Sequence, residues 1–200
     1  MKKNVLKFLL FIIPFVFNCL ADEQKIITSD DVKNFVINIS TKSSQILNNP
    51  ELNEQQKEIE YKNFTNTIID SNWVAKFILG SNWKNLNLEQ KEEFTTLYKE
   101  YLLQNYMPKL KDYSNSLSIT KIEKIKEQVY LAYTKTKDKD DRSVNVNFRI
   151  IEKDGNLYII DIIPEGISFI SSQRTDVNSS ITKNGYNKFI EELKQKIKSE

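Results

Sequence analysis

Near residue 115 the hydrophobic period of this chain switches from that of a helix, about 3.6, to two, and few architectures survive the switch. Four successive stretches alternate or run apolar: "SLSITKIEKI", "QVYLAYTKTK", "RSVNVNFRIIEK" and "NLYIIDII". "KDKDDR" joins the second and third, and "KDGN" the third and fourth. Asp154-Gly155 is a hairpin signal, and connections this short suit antiparallel neighbours. In the third stretch Val144, Val146, Phe148 and Ile150 face one way and Asn145, Asn147 and Arg149 the other, so the sheet has a dry face and a wet one. The fourth stretch is apolar on both faces, as a strand with something packed on each side should be.

Helical spacing flanks this meander. Residues 28–48 place Val32, Phe35, Val36, Ile39, Ser43, Ile46 and Leu47 on one face, with Thr28 or Ser29 as the cap. A second helix spans about 52–69. Asp70 then precedes "SNWVAKFILG", with Gly80 placed as a stop. Asn87 and Gln90 form a capping box for a helix over 88–106. That helix carries Phe94, Leu97, Tyr98, Tyr101, Leu102 and Tyr106 on one side. Buried tyrosines need partners for their hydroxyls. Packing at a rim, with the hydroxyls wet, is the simpler account of them. Residues 168–181 and 186–198 return to helical spacing. Helices, a meander and helices again make an α+β domain.

The first twenty-one residues stand apart from this domain. "MKKNVLKFLLFIIPFVFNCLA" has a basic start, an apolar centre interrupted by Pro14, and Cys19-Leu20-Ala21 at its end. The pattern predicts a secretory signal peptide cleaved after Ala21, which leaves residues 22–200 as a single domain. Asn18 ahead of Cys19 argues against lipidation of that cysteine. Removal of the segment takes away the only cysteine and three of the 29 basic residues, leaving 26 against 27 acidic ones, a net charge of −1. With no thiol and no histidine in the mature chain, disulfides, thiolate catalysis and the usual metal ligands are not expected. No basic stripe interleaved with aromatics appears, so no nucleic-acid partner is expected.

Catalytic constellations are equally scarce. Asp30-Asp31, Glu92-Glu93 and Asp140-Asp141 are sequence neighbours that point apart and read as solvated charge. Asp161, a lone acid inside "YIIDIIP", is the exception. It could serve as a buried general base. A structural role is preferred, in which the acid pairs with an arginine or accepts backbone hydrogen bonds, and Arg174 is the candidate partner. Arg174 could instead hold Glu165, or meet a phosphate at the mouth of a cavity.

Two longer stretches carry a family resemblance. In "FTNTIIDSNWVAKFILGSNWKNLNLEQKEEFTTLYKEYLLQNYMPKLKDY" the marks are Asp70, Leu79-Gly80, Trp83, Gln90, Phe94, Tyr106 and Tyr113. In "GNLYIIDIIPEGISFISSQRTDVNSSITKNGYNKFIEELKQK" they are Gly155, Asp161, Glu165, Gly166, Ser168, Arg174, Gly185 and Leu193. Their order and spacing resemble the MlaC family, the periplasmic phospholipid-binding component of a lipid-transport system, also called the toluene-tolerance auxiliary family. The departures are Tyr158 for a tryptophan, Gln173 for the tyrosine before Arg174, and Thr175-Asp176 after it. The resemblance implies a curved antiparallel four-stranded sheet, N- and C-terminal helices wrapped over it, and an enclosed hydrophobic pocket.

By that resemblance the cargo is phospholipid and no cofactor or metal is expected. The implied partners are an inner-membrane ABC transporter complex with a membrane-anchored substrate-binding ring and an outer-membrane lipoprotein–porin complex. The implied role is a periplasmic carrier that maintains outer-membrane lipid asymmetry, not an enzyme. Candidate pocket residues are Leu102 and Tyr106 from the fourth helix, Val146, Phe148 and Ile150 from the third strand, Tyr158, Ile160 and Ile162 from the fourth, and Ile170 beyond it. Asp161 and Arg174 are candidates for polar positions at the pocket mouth or in the framework. At about 0.8 kcal/mol per methylene, two acyl chains of ~30 methylenes carry on the order of 25 kcal/mol, which asks for a deep, dry pocket. Two other readings remain open from the residues alone. One is an exported isomerase or lyase on a cone-shaped α+β fold using Asp161 with Tyr101 or Tyr106; the other is an exported interaction module without catalysis.

Overall fold

The computed structural model describes residues 26–111, 117–138 and 140–198, with residues 106–111 described by backbone alone. The expected signal peptide over 1–21 lies outside the described residues. Four helices lead, α1 (Ser29–Leu47), α2 (Glu54–Ile68), α3 (Ser71–Leu79) and α4 (Leu88–Lys111), with a 3₁₀ segment, Gly80–Asn85, between the last two. The strands β1 (Ser118–Lys126), β2 (Val129–Lys137), β3 (Ser143–Lys153) and β4 (Asn156–Pro164) follow, and α5 (Phe169–Asn184) and α6 (Tyr186–Lys198) close the chain. The α+β class read from the sequence is the one observed.

Local chemistry sets the helix ends. The Thr28 hydroxyl accepts from the Asp31 N–H at 3.2 Å while the Asp31 carboxylate accepts from the Thr28 N–H at 2.9 Å. Asn87 and Gln90 close the same reciprocal box on α4, at 3.0 and 2.8 Å. That helix runs to Lys111 rather than ending at Tyr106; Pro108 forfeits a single ladder bond close to the end.

The sheet is antiparallel throughout, in the order β1-β2-β3-β4. Tyr130 lies across from Ile150 and Ala132 across from Phe148, which fixes the face that α1 covers with Val32 and Val36. Asp154 (φ 52°) and Gly155 (φ 73°) turn the β3–β4 hairpin, the positive pair that matches strand twist. From this turn the ladder runs regularly as far as Ile150 opposite Ile159. It then slips by one, so that Arg149 faces Asp161 and Ile160 is left as the extra residue of a bulge.

β4 is the edge strand, yet it is buried at Ile159, Ile160, Asp161 and Ile163. Ile69, just past α2, forms an isolated parallel bridge to Ile159 and covers part of that edge. α3 and α5 also pack against β4. Three apolar clusters result. One unites α3 to α6, a second joins α1 to the sheet, and a third, Ile46, Tyr61 and Leu103, ties α1, α2 and α4.

Candidate functional site

The carboxylate of Asp161 is anchored where β4 gives way to α5. Arg149 Nη1 donates to it at 2.8 Å, the Ser168 hydroxyl at 2.7 Å, and the Ile170 N–H at 3.2 Å. Ser168 is also the cap of α5, accepting from the Ser171 N–H. The acid therefore meets an otherwise unpaired amide in the first turn of a helix, where negative charge is favoured. Between them lies the turn "PEGI", with Glu165 (φ 48°) and Gly166 (φ 82°) left-handed and the Ile167 N–H returning to the Pro164 carbonyl at 3.0 Å. A second consecutive positive φ is open to glycine at little cost. The turn reverses the chain sharply enough for Ser168 and Ile170 to reach back to Asp161.

Beside this anchor lies an apolar cavity of about 320 Å³, within the size range of ligand pockets. β4 supplies one wall, from Ile159 to Ile162 and again at Pro164. α5 adds Phe169 and Ile170, α3 adds Val74 and Ala75, and α4 adds Tyr98, Leu102 and Leu103. A smaller cavity of about 80 Å³ lies beneath α1 and α2, against Val146 and Phe148 of the sheet. Thr65, Ile69, Ile159 and Ile162 border both cavities and form the partition between them. Burial pushes the Tyr61 phenol on the smaller cavity up from its ordinary value, with hydrogen bonding to Ser43 opposing it, so this wall stays uncharged.

The residues singled out from the sequence divide among these places. Leu102, Ile160, Ile162, Ile170 and Asp161 border the larger cavity; Val146, Phe148 and, again, Ile162 border the smaller. Ile150 and Tyr158 border neither. Ile150 is wholly buried in the cluster under α1, because its position on β3 packs with Val32 and Val36. Tyr158 lies before the bulge, paired with Ile151. The side chain of Tyr106 lies outside the described residues.

Arg174 does not pair with Asp161. Its guanidinium stacks on the Phe77 ring at 5.0 Å and donates to the Phe77 carbonyl at 3.0 Å. Asn178, one turn on, donates to the Ile78 carbonyl at 2.8 Å. α5 thus supplies donors to the carbonyls at the end of α3, a role the charge and hydrogen-bonding capacity of arginine suit. Arginine at 149, assigned by alternation to the wet face, is the true partner of Asp161.

Tyr98 likewise departs from the rim reading. It is buried on the cavity wall and its hydroxyl donates to Gln173 Oε1 at 2.6 Å. Gln173, the residue standing before Arg174, is itself buried and satisfies it. Thr65, Asn66, Ser71, Thr95 and Lys99 are polar wall residues that sequence reasoning passed over. For Lys99 the signal was present: Leu102 and Leu103 follow at the helical spacing that shares a face.

Among the described residues no helix is long and apolar enough to cross a membrane, and no cluster of three His, Cys, Asp or Glu could hold a metal ion. The fold is shared with a crystal structure at 1.53 Å of a phospholipid-binding protein from Ralstonia solanacearum in complex with a phospholipid. The TM-score is 0.69 at 15% identity, over 86% of this chain and 97% of that one. No curated protein matches the chain by sequence. The family model described as MlaC protein matches residues 38–195, a span that includes α2 to α5, the whole sheet, the larger cavity and every residue lining the smaller one except Val36, and the chain belongs to the MlaC family.

Proposed function

We propose that this protein is a phospholipid carrier that holds acyl chains in the cavity between β4 and helices α2 to α5. The observation that carries the reading is the cavity itself: about 320 Å³ with walls mostly of Ile, Leu, Val, Ala, Pro and Phe, in a fold shared with a protein solved with phospholipid bound. An apolar void of this size has no structural use when empty, because its lining forfeits dispersion contacts and burial. The neighbouring smaller cavity is a second apolar space on the other side of the Thr65–Ile69–Ile159–Ile162 partition. Residues 1–21 act as a signal peptide that delivers the chain to the periplasm, so that the mature protein begins near Asp22. There it exchanges lipid between an outer-membrane lipoprotein–porin complex and an inner-membrane ABC transporter with its membrane-anchored substrate-binding ring, and so maintains outer-membrane lipid asymmetry.

A catalytic reading finds less support. Asp161, the one acid with the setting of a general base, has its oxygens engaged by Arg149, Ser168 and the Ile170 N–H. Native mass spectrometry of protein purified from the cell envelope tests the proposal. Phospholipid should be found bound one-to-one or in a fixed small ratio. A protein that is empty when isolated and takes up nothing from phospholipid vesicles would overturn it.

A further inference from the structure

The two cavities meet at four side chains. Thr65 on α2, Ile69 just past it, and Ile159 and Ile162 on β4 border both the larger cavity and the smaller. Volume limits what each space can hold. An apolar cavity of about 150 Å³ takes one benzene, or about 25 Å³ per carbon. The larger cavity is about 320 Å³ and the smaller about 80 Å³. On the benzene scale the first accepts about 13 carbons of an acyl chain and the second about three more. A chain of about 16 carbons therefore needs both spaces. Confined to the larger one, it leaves its excess methylenes in water.

The smaller cavity is walled mostly by apolar side chains, Val36, Ile39, Ile68, Val146 and Phe148 among them. Such walls suit the methyl end of a chain and not a headgroup. Two of the four partition residues are held fast. Thr65 and Ile159 are buried. The Thr65 hydroxyl donates to the Tyr61 carbonyl at 2.8 Å, and Ile159 lies in the ladder opposite Ile150. Ile69 and Ile162 are only half-buried. Ile69 stands in extended conformation between α2 and Asp70, the cap of α3, and Ile162 lies opposite Phe148 on β3. The bridge and the ladder fix the backbones of these two, while their side chains can exchange staggered rotamers.

We propose that the partition is a chain-length gate. An acyl chain fills the larger cavity and, beyond about 13 carbons, passes its methyl end between Ile69 and Ile162 into the smaller one. This rests on the carrier reading and deepens it, because burial in a single cavity does not say which residues set the length of the chain. Moving a methylene from a bilayer to the protein exchanges one apolar medium for another, so length is neutral while the chain fits. Each methylene beyond the capacity stays in water and lowers the partition about fourfold, the worth of one buried methylene.

The test equilibrates purified protein with phosphatidylcholine vesicles doped with a series of lysophosphatidylglycerols, from dodecanoyl to eicosanoyl. A single chain per lipid leaves no doubt which chain is measured. Native mass spectrometry gives the bound share of each lipid relative to its content in the vesicles. For wild type the share should be level up to hexadecanoyl and fall about fourfold per methylene beyond it. Ser40, on α1, borders the smaller cavity alone. Ser40→Leu puts a good helix former there and fills that space, so hexadecanoyl binding should fall about tenfold and dodecanoyl binding should hold, which also shows that the variant is folded. Ile162→Ala opens the partition and should carry the break beyond octadecanoyl.

A level profile in wild type from dodecanoyl to eicosanoyl would overturn the gate. So would a Ser40→Leu profile that matches wild type, or one lowered equally at every length. An unmoved break in Ile162→Ala would show that the partition does not set the limit. In each of these cases lipid is still carried and the carrier reading stands. If wild-type protein takes up neither the lysolipids nor the phosphatidylcholine, the carrier reading itself fails.

Discussion

Arg149 Nη1 lies 2.8 Å from Asp161 Oδ2 because the β4 bulge at Ile160 advances the ladder by one residue. The Asp161 side chain is fully buried and that of Arg149 is 28% exposed. Removing one partner of a buried pair strands the other and costs about 3–5 kcal/mol, so Asp161→Ala should destabilise on that scale. Arg149→Met should cost less, since Asp161 keeps Ser168 and the Ile170 N–H. A double-mutant cycle in urea should show coupling between 149 and 161. Asp161 and Arg174 share no partner and should combine additively, to within about 0.5 kcal/mol. Coupling of 161 to 174 as large as that to 149 would contradict the geometry.

Gly80 ends α3 with φ 56° and ψ −120°, a conformation that side chains rarely adopt. A Cβ there would come within 2.6 Å of Arg174 Nη2. Gly80→Ala should therefore cost about 1–3 kcal/mol in backbone strain, and displace Arg174 from the Phe77 carbonyl as well. Once the guanidinium has been moved, Arg174→Ala should cost less in the Gly80→Ala background than in wild type. Urea midpoints of the four proteins measure both effects; equal costs for Arg174→Ala in the two backgrounds would show that the clamp survives the methyl group.

Cargo and stability should be linked. A ligand that binds the folded state stabilises it by mass action. Protein stripped of lipid should melt below the protein as isolated, and reloading from vesicles should restore the higher Tm. Identical melting curves for the two forms would mean that the cavity is not the lipid site.

Much of this fold was legible in the sequence because its signals are local. The period-two run over β1 to β4, the Asp154-Gly155 turn and the Asn87–Gln90 box each depend on a few adjacent residues, and the structure has them all. The partner of Asp161 was not local. Counting back from the hairpin turn in perfect register sets Asp161 opposite Phe148, on the face that α1 covers; the bulge at Ile160 moves it opposite Arg149. No residue in "NLYIIDII" marks where a bulge will fall. Pocket walls suffer from the same limit. Strand parity separates two faces, but the larger cavity runs along the edge of β4 and takes residues of both parities, from Ile159 to Ile162. Asn66 and Ser71 become notable only when α2, α3 and α4 are placed around one void.

Leu102 and Ile150 were equivalent in the sequence, both apolar and both directed inward, and the structure separates them. Leu102 borders the larger cavity, whereas Ile150 has 0% exposure within the cluster of Val32, Val36, Tyr130 and Ala132. Overpacking a dense core costs about 1–3 kcal/mol, sometimes more, because neighbours must leave their rotamers. Ile150→Trp should therefore lower stability sharply, and any loss of lipid should follow from loss of fold. Leu102→Trp can extend its ring into the void, so its Tm without lipid should stay near that of stripped wild type or rise above it. Its phospholipid occupancy by native mass spectrometry should fall, because the indole takes the space of the acyl chain. Near-normal occupancy in Leu102→Trp, in a protein that is still folded, would place the acyl chains elsewhere.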